Sequence, residues 1–157
     1  MDPISAVGCA AAIINFVDFS CKLVKGSYDI YRSDSGEPAG YVDINTILRD
    51  LEDVTKGLRT NVRADSPHRE FLIKLTSDCA TVSAELTTLL EELKRKQGNK
   101  VWRSLEAKWH GIRKEGKLAS VEQRLTSLRM QLLLRINLMV GYVGPPGSDE
   151  CSLTGLQ

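Results

Sequence analysis

The chain has 157 residues, 42% apolar and 26% charged, which suits one domain with a real core and argues against a disordered polymer. A formal net charge of +1 excludes nucleic-acid binding through overall basicity, while leaving room for a local basic run. Four cysteines, at 9, 21, 79 and 151, show no C-x-x-C pair and no histidine cluster, so neither a zinc site nor a dense disulfide framework is expected and a reducing, intracellular setting follows.

The first predicted helix spans residues 3–31. Asp2 suits the N-cap, and Pro3 suits the first helical position because its missing N–H would be unpaired there. Small residues fill the front half (Ser5, Ala6, Gly8, Cys9, Ala10, Ala11 and Ala12). Ile4, Val7, Ile13, Ile14, Phe16, Val17 and Phe19 surround nearly the whole circumference. A helix that is apolar all round is either central in its bundle or destined for lipid. The residues alone favour the central reading; the terminal position, which lets the helix detach, and the small residues, which suit close packing in a bilayer, favour the other. The uncharged run from Pro3 to Val17 lacks the basic flank of a signal peptide. It is also shorter than the ~20 residues of a resident span, so insertion would be conditional.

Residues 33–40 (SDSGEPAG) read as a loop. A second helix, 42–63, carries Ile44, Ile47, Leu51, Val54 and Leu58 at spacings of three and four. Asp65-Ser66-Pro67 ends it and starts the third, 67–96, with Ser66 as N-cap. That helix has a seam of Leu72, Leu75, Cys79, Val82, Leu86, Leu89 and Leu93. A shorter helix, 100–113, carries Val101, Trp102, Leu105 and Trp109. The last, 118–140, repeats the seam with Leu118, Val121, Leu125, Leu128, Leu132, Ile136 and Met139, and Ser120 with Gln123 has capping-box spacing. Periodicity is lost after Gly141. Short connections between long helices predict an all-α, up-and-down bundle of four to five helices over residues 1–142, with a flexible tail or linker at 143–157.

Charge is unevenly spread. From Lys94 to Lys117 nine basic residues (Lys94, Arg95, Lys96, Lys100, Arg103, Lys108, Arg113, Lys114 and Lys117) stand against two acids, Glu106 and Glu115, with Trp102 and Trp109 seven residues apart on one face. Two readings stay open. Basic residues and tryptophans suit an anionic membrane interface, and the same spacing suits tryptophans packed in a core behind a solubilising face. Aromatic platforms on a sheet are lacking, so no nucleic-acid partner is expected. Neither phosphate-loop nor dinucleotide fingerprints occur, and His68 and His110 have no nucleophile in a recognisable motif. No enzymatic activity and no cofactor or metal are expected.

The opening MDPISAVGCAAAIINFVDFSCKLVKGSYDIYRSDSG, the following NTILRDLEDVTKGLR and the later KWHGIRKEGKLASVEQRLTSLRMQLLLRI together resemble HeLo-like domains, the N-terminal domains of fungal STAND proteins, relatives of NLR receptors. The M-D-P start, the A-A-I-I-N-F-V-D-F run and the Y-x-S-x-S-G loop carry the resemblance, which covers residues 1–140. It implies a cell-death effector, similar to the HeLo domain of the HET-S incompatibility system and to the four-helix bundle of mixed-lineage kinase-like protein. Such a bundle is cytoplasmic at rest. On activation it forms a homo-oligomer whose freed N-terminal helix enters and permeabilises the plasma membrane. The insertion element here would comprise Pro3, Ile4, Val7, Gly8, Ala11, Ile13, Ile14, Phe16, Val17 and Phe19. The basic run is a candidate contact for anionic lipid on its charge, not as a family motif. The resemblance also implies an NLR-type nucleotide-binding module as partner, in cis or in trans. The rival expectation, from another class, is a protein-binding helical adaptor or oligomerisation domain without lipid activity.

Overall fold

The computed structural model describes residues 3–26, 41–58 and 67–139. Among these the chain forms five helices and no strand: α1 (Pro3–Lys25), α2 (Ile44–Lys56), α3 (Arg69–Gln97), α4 (Trp102–Lys114) and α5 (Ala119–Met139). The expected all-α bundle is what the chain forms. The loop at 33–40, the caps expected at Asp2 and Ser66 and the tail at 143–157 lie outside the described residues.

The α2–α3 and α3–α5 pairs run antiparallel. Asn45 and Lys94 line one end of the α2–α3 groove, and the Thr55 and Ser83 hydroxyls meet at 2.7 Å at the other. The α3–α5 pair is tied by Arg124 to Glu85. α1 packs against α5, α3 and α2, and α3 against α2, α1 and α5, so these two helices share the centre of the bundle. Its Ile13, Phe16, Leu23 and Val24 join Ile44, Ile47 and Leu51 of α2, Leu72, Leu75 and Leu86 of α3 and Leu125 and Leu128 of α5 in one apolar core. Burying such side chains contributes roughly 1.5–3 kcal/mol each, the term that holds the helices together.

Local chemistry fixes the ends. Asp43 caps α2, accepting from the Thr46 backbone N–H at 2.8 Å, and that bond holds its carboxyl below the usual range. Asp43 and Val101 form an isolated antiparallel bridge, with the Trp102 N–H donating to the Val42 carbonyl at 2.7 Å and the Ile44 N–H to that of Lys100 at 3.0 Å. This bridge docks the start of α4 on the start of α2.

Several boundaries differ from expectation. α1 ends at Lys25 rather than at residue 31, because Gly26 takes φ +70°, the left-handed backbone that terminates helices. α2 ends at Lys56, followed by a turn at Gly57–Leu58. In α3 the buried seam residue is Leu90 and not Leu89, which is half-buried beside it. The helical period of 3.6 drifts off a strict heptad, and of two adjacent leucines it selects the second. α5 begins at Ala119, so Ser120 lies inside its first turn and is not its cap.

Candidate functional site

The ten candidate insertion residues divide by the side of α1 they occupy. Ile13, Phe16 and Val17 are buried, and Phe19 is half-buried against the core. Val7 (54% exposed), Gly8, Ala11 and Ile14 (43%) lie on the outer side, where spacings of four and three from Val7 through Ala11 and Ile14 to Asp18 make one stripe. Pro3 and Ile4 stand in the first turn, and their side chains are outside the described residues. The front half of α1 is thus apolar on both sides. Its back half is polar outside, where Lys22 pairs with Asp18 at 3.2 Å.

α5 continues this outer apolar surface. Met130, Leu134 (67% exposed) and Leu138 recur every fourth residue with Leu133 beside them, opposite the buried Val121, Leu125, Leu128 and Leu132. Ile14 and Val17 of α1 and Leu132 and Leu133 of α5 line a groove of about 380 Å³, rimmed by Asp18 and Arg129. The motif-level reading missed this stripe. Its signal was present in Leu132-Leu133-Leu134, three leucines in a row that cannot all face one core.

The tryptophans of the basic segment take the packing side of the two readings. Both are core residues, 2% and 0% exposed, with ring centroids 5.5 Å apart in an edge-to-face arrangement. They do not face an interface, contrary to the membrane reading of the pair. The Trp109 indole N–H donates to the carbonyls of Leu23 at 2.8 Å and Val24 at 3.3 Å, and that of Trp102 reaches the Gly26 carbonyl at 3.5 Å. The last carbonyls of a helix have no partner of their own, so α4 completes the C-terminal turn of α1. Gly26 packs so closely there that a Cβ would meet the His110 ring at 3.1 Å. No spacing or motif singles out Gly26 or His110 for this contact, although a glycine following Lys22 and Lys25 is a helix-stop signal.

On the opposite side of α4 the basic residues are solvated. Arg95, Lys96, Lys100, Arg103, Lys108, Arg113, Lys114 and Lys117 are exposed, and Lys94 is half-buried. Three have acidic partners: Lys96 with Glu92 at 3.0 Å, Arg113 with Glu122 at 2.6 Å and Lys117 with Glu115 at 3.4 Å. Because α4 sits on the last turn of α1, the cations and the exposed Val7 lie toward opposite ends of that helix. From Val7 to Leu23 the axis runs roughly 24 Å. The structure therefore does not gather the two candidate sets into one site.

The Cys9 and Cys79 thiols are buried and that of Cys21 is half-buried. Cys9 lies 3.9 Å from the Thr76 hydroxyl, and burial pushes the Cys79 thiol up to about 12. The described residues hold no cluster of three or more potential metal ligands. No protein-family model, no curated protein and no solved structure matches this chain.

Proposed function

We propose that this chain is a non-enzymatic, membrane-targeting effector bundle of the HeLo-like kind, whose first helix leaves the bundle and enters a bilayer when copies assemble. The observation that carries the proposal is α1 itself. Its 23 residues extend about 35 Å, against a hydrocarbon core of ~30 Å, and Val7–Lys25 is apolar enough by composition to cross it. A central helix of a soluble bundle passes the same test, so the resemblance of Met1–Val140 to cell-death domains does the discriminating. In this reading the protein rests in the cytoplasm, binds anionic lipid through its exposed cations and acts at the plasma membrane. An NLR-type nucleotide-binding module triggers assembly in cis or in trans.

The test uses the outer side of α1. Ala11→Lys and Ile14→Lys place charges at solvent-exposed positions, leaving the resting bundle intact, yet each costs about 2.5–3.5 kcal/mol near the centre of a membrane-spanning helix. Dye release from anionic vesicles should collapse in both variants while circular dichroism and urea midpoints stay as in the parent chain. Undiminished release sinks the insertion reading, as does undiminished release after deletion of Met1–Phe19.

The second reading, a protein-binding adaptor, is favoured by the α5 stripe of Met130, Leu133, Leu134 and Leu138. Exposed apolar side chains in a row on one helix suit docking of another helix. It predicts no release from vesicles by the parent chain and a first helix that stays in place throughout.

A further inference from the structure

The two halves of α1 are held by different chemistry. In the back half, the Leu23 carbonyl accepts both the Gly26 backbone N–H at 3.0 Å and the Trp109 indole N–H at 2.8 Å. Val24 and Gly26 accept from the same pair of tryptophans, inside the core. Gly26 lies against the His110 ring, in a backbone conformation that glycine tolerates and other residues rarely adopt. The front half leaves Val7, Gly8, Ala11 and Ile14 in solvent and is held on its other side by apolar packing of Ile13, Phe16 and Val17, with the Cys9 sulfur 3.9 Å from the Thr76 hydroxyl of α3.

Ser20 marks the junction. Its hydroxyl is fully buried without a hydrogen-bond partner, whereas Thr55, Thr76, Thr81, Thr88 and Thr126 each donate to the carbonyl four residues before them. A buried unpaired hydroxyl opposes packing where it sits.

We propose that α4 is a latch on α1. Trp109 and Trp102 fix its last turn, so the helix opens as a unit from its N-terminal end up to about Ser20 while Leu23–Gly26 stays seated on α4. Opening of this kind is sub-global: α3 and α5 keep their own protection while it happens. The latch goes beyond the membrane reading and holds for a chain that never meets lipid.

Hydrogen exchange of the full chain, read by mass spectrometry, decides it. In the parent protein, amides from Gly8 to Asp18 should exchange at least tenfold faster than those of Leu23–Gly26, well beyond fraying of a first turn. Trp109→Phe keeps the ring and removes the donor. It should raise exchange at Leu23–Gly26 by roughly tenfold, the effect of one unsatisfied buried carbonyl, with less change in α3 and α5. Trp102→Phe, which loses the longer bond, should do the same to a smaller degree. Uniform protection along α1 in the parent overturns the latch, and so does an increase spread equally over all helices in the variants. If Trp109→Phe does not fold, the parent gradient and Trp102→Phe still decide. Because no vesicle is present, failure here leaves the insertion test untouched, and the reverse holds as well.

Discussion

From Cys21 to Gly26, α1 is seated on two tryptophans that supply both apolar contact and hydrogen bonds; from Val7 to Asp18 the same helix has a buried apolar side and an open, largely apolar one. The back half carries Lys22 and Lys25 where the front half is uncharged up to Asp18, yet each half buries one apolar side. The neighbours differ, since α4 covers only the last turn. Hydrophobic content therefore says how much a helix can bury, and the partners at each end say which part of it is free to move.

The largest expected contrast comes from truncating one side chain in each half. Trp109→Ala removes a fully buried ring and the donor to Leu23 and Val24, and should cost about 3–5 kcal/mol in urea unfolding. Val7→Ala acts at a side chain that is half in solvent and should stay within about 0.5 kcal/mol. Equal losses at the two positions would abolish the distinction between the halves.

Ser20→Ala sharpens the junction. The substitution removes the unpartnered hydroxyl and installs the best helix former, so the bundle should gain roughly 1 kcal/mol. If α1 enters membranes as proposed, vesicle leakage by this variant should fall together with exchange in the front half. A destabilised Ser20→Ala would show that the hydroxyl is satisfied in solution.

Much of this arrangement was legible beforehand. Helix seams such as Leu72, Leu75, Cys79, Val82 and Leu86 follow directly from spacing, because burial of one face imposes a 3.6-residue period. Leu89 against Leu90 was not legible, since two adjacent leucines satisfy the pattern equally until a neighbour chooses between them. The tryptophan pair was visible as a spacing of seven, but its role depends on where α1 stops. That stop was misplaced by reading through Gly26. The exposed α5 stripe was hidden by the same habit: once one leucine of Leu132-Leu133-Leu134 is assigned to the core, the other two still need a place. Lipid contact and assembly are events between molecules, and their signal in one chain is confined to surfaces with no partner.

Cys79 provides the smallest and most specific probe of the front half. It lies on α3 close to Cys9 of α1, and burial, with lesser contributions from Asp78 and Cys9, pushes its thiol from 9.0 up to about 12. The folded state therefore holds a proton that the unfolded chain releases, so this group's contribution to stability is complete below pH 9 and declines as pH rises toward 12. By about pH 9.5 the loss should be roughly 1 kcal/mol or less, measured as the difference between the parent chain and Cys79→Ala, so that lysines and tyrosines titrating nearby cancel. Exchange in the parent should quicken first from Gly8 to Asp18, the part of α1 lying over the thiol, while the turn at Leu23–Gly26 keeps its tryptophan donors. If alkaline pH instead loosened the last turn first, the thiol would be coupled to the latch and the two halves of α1 would act as one.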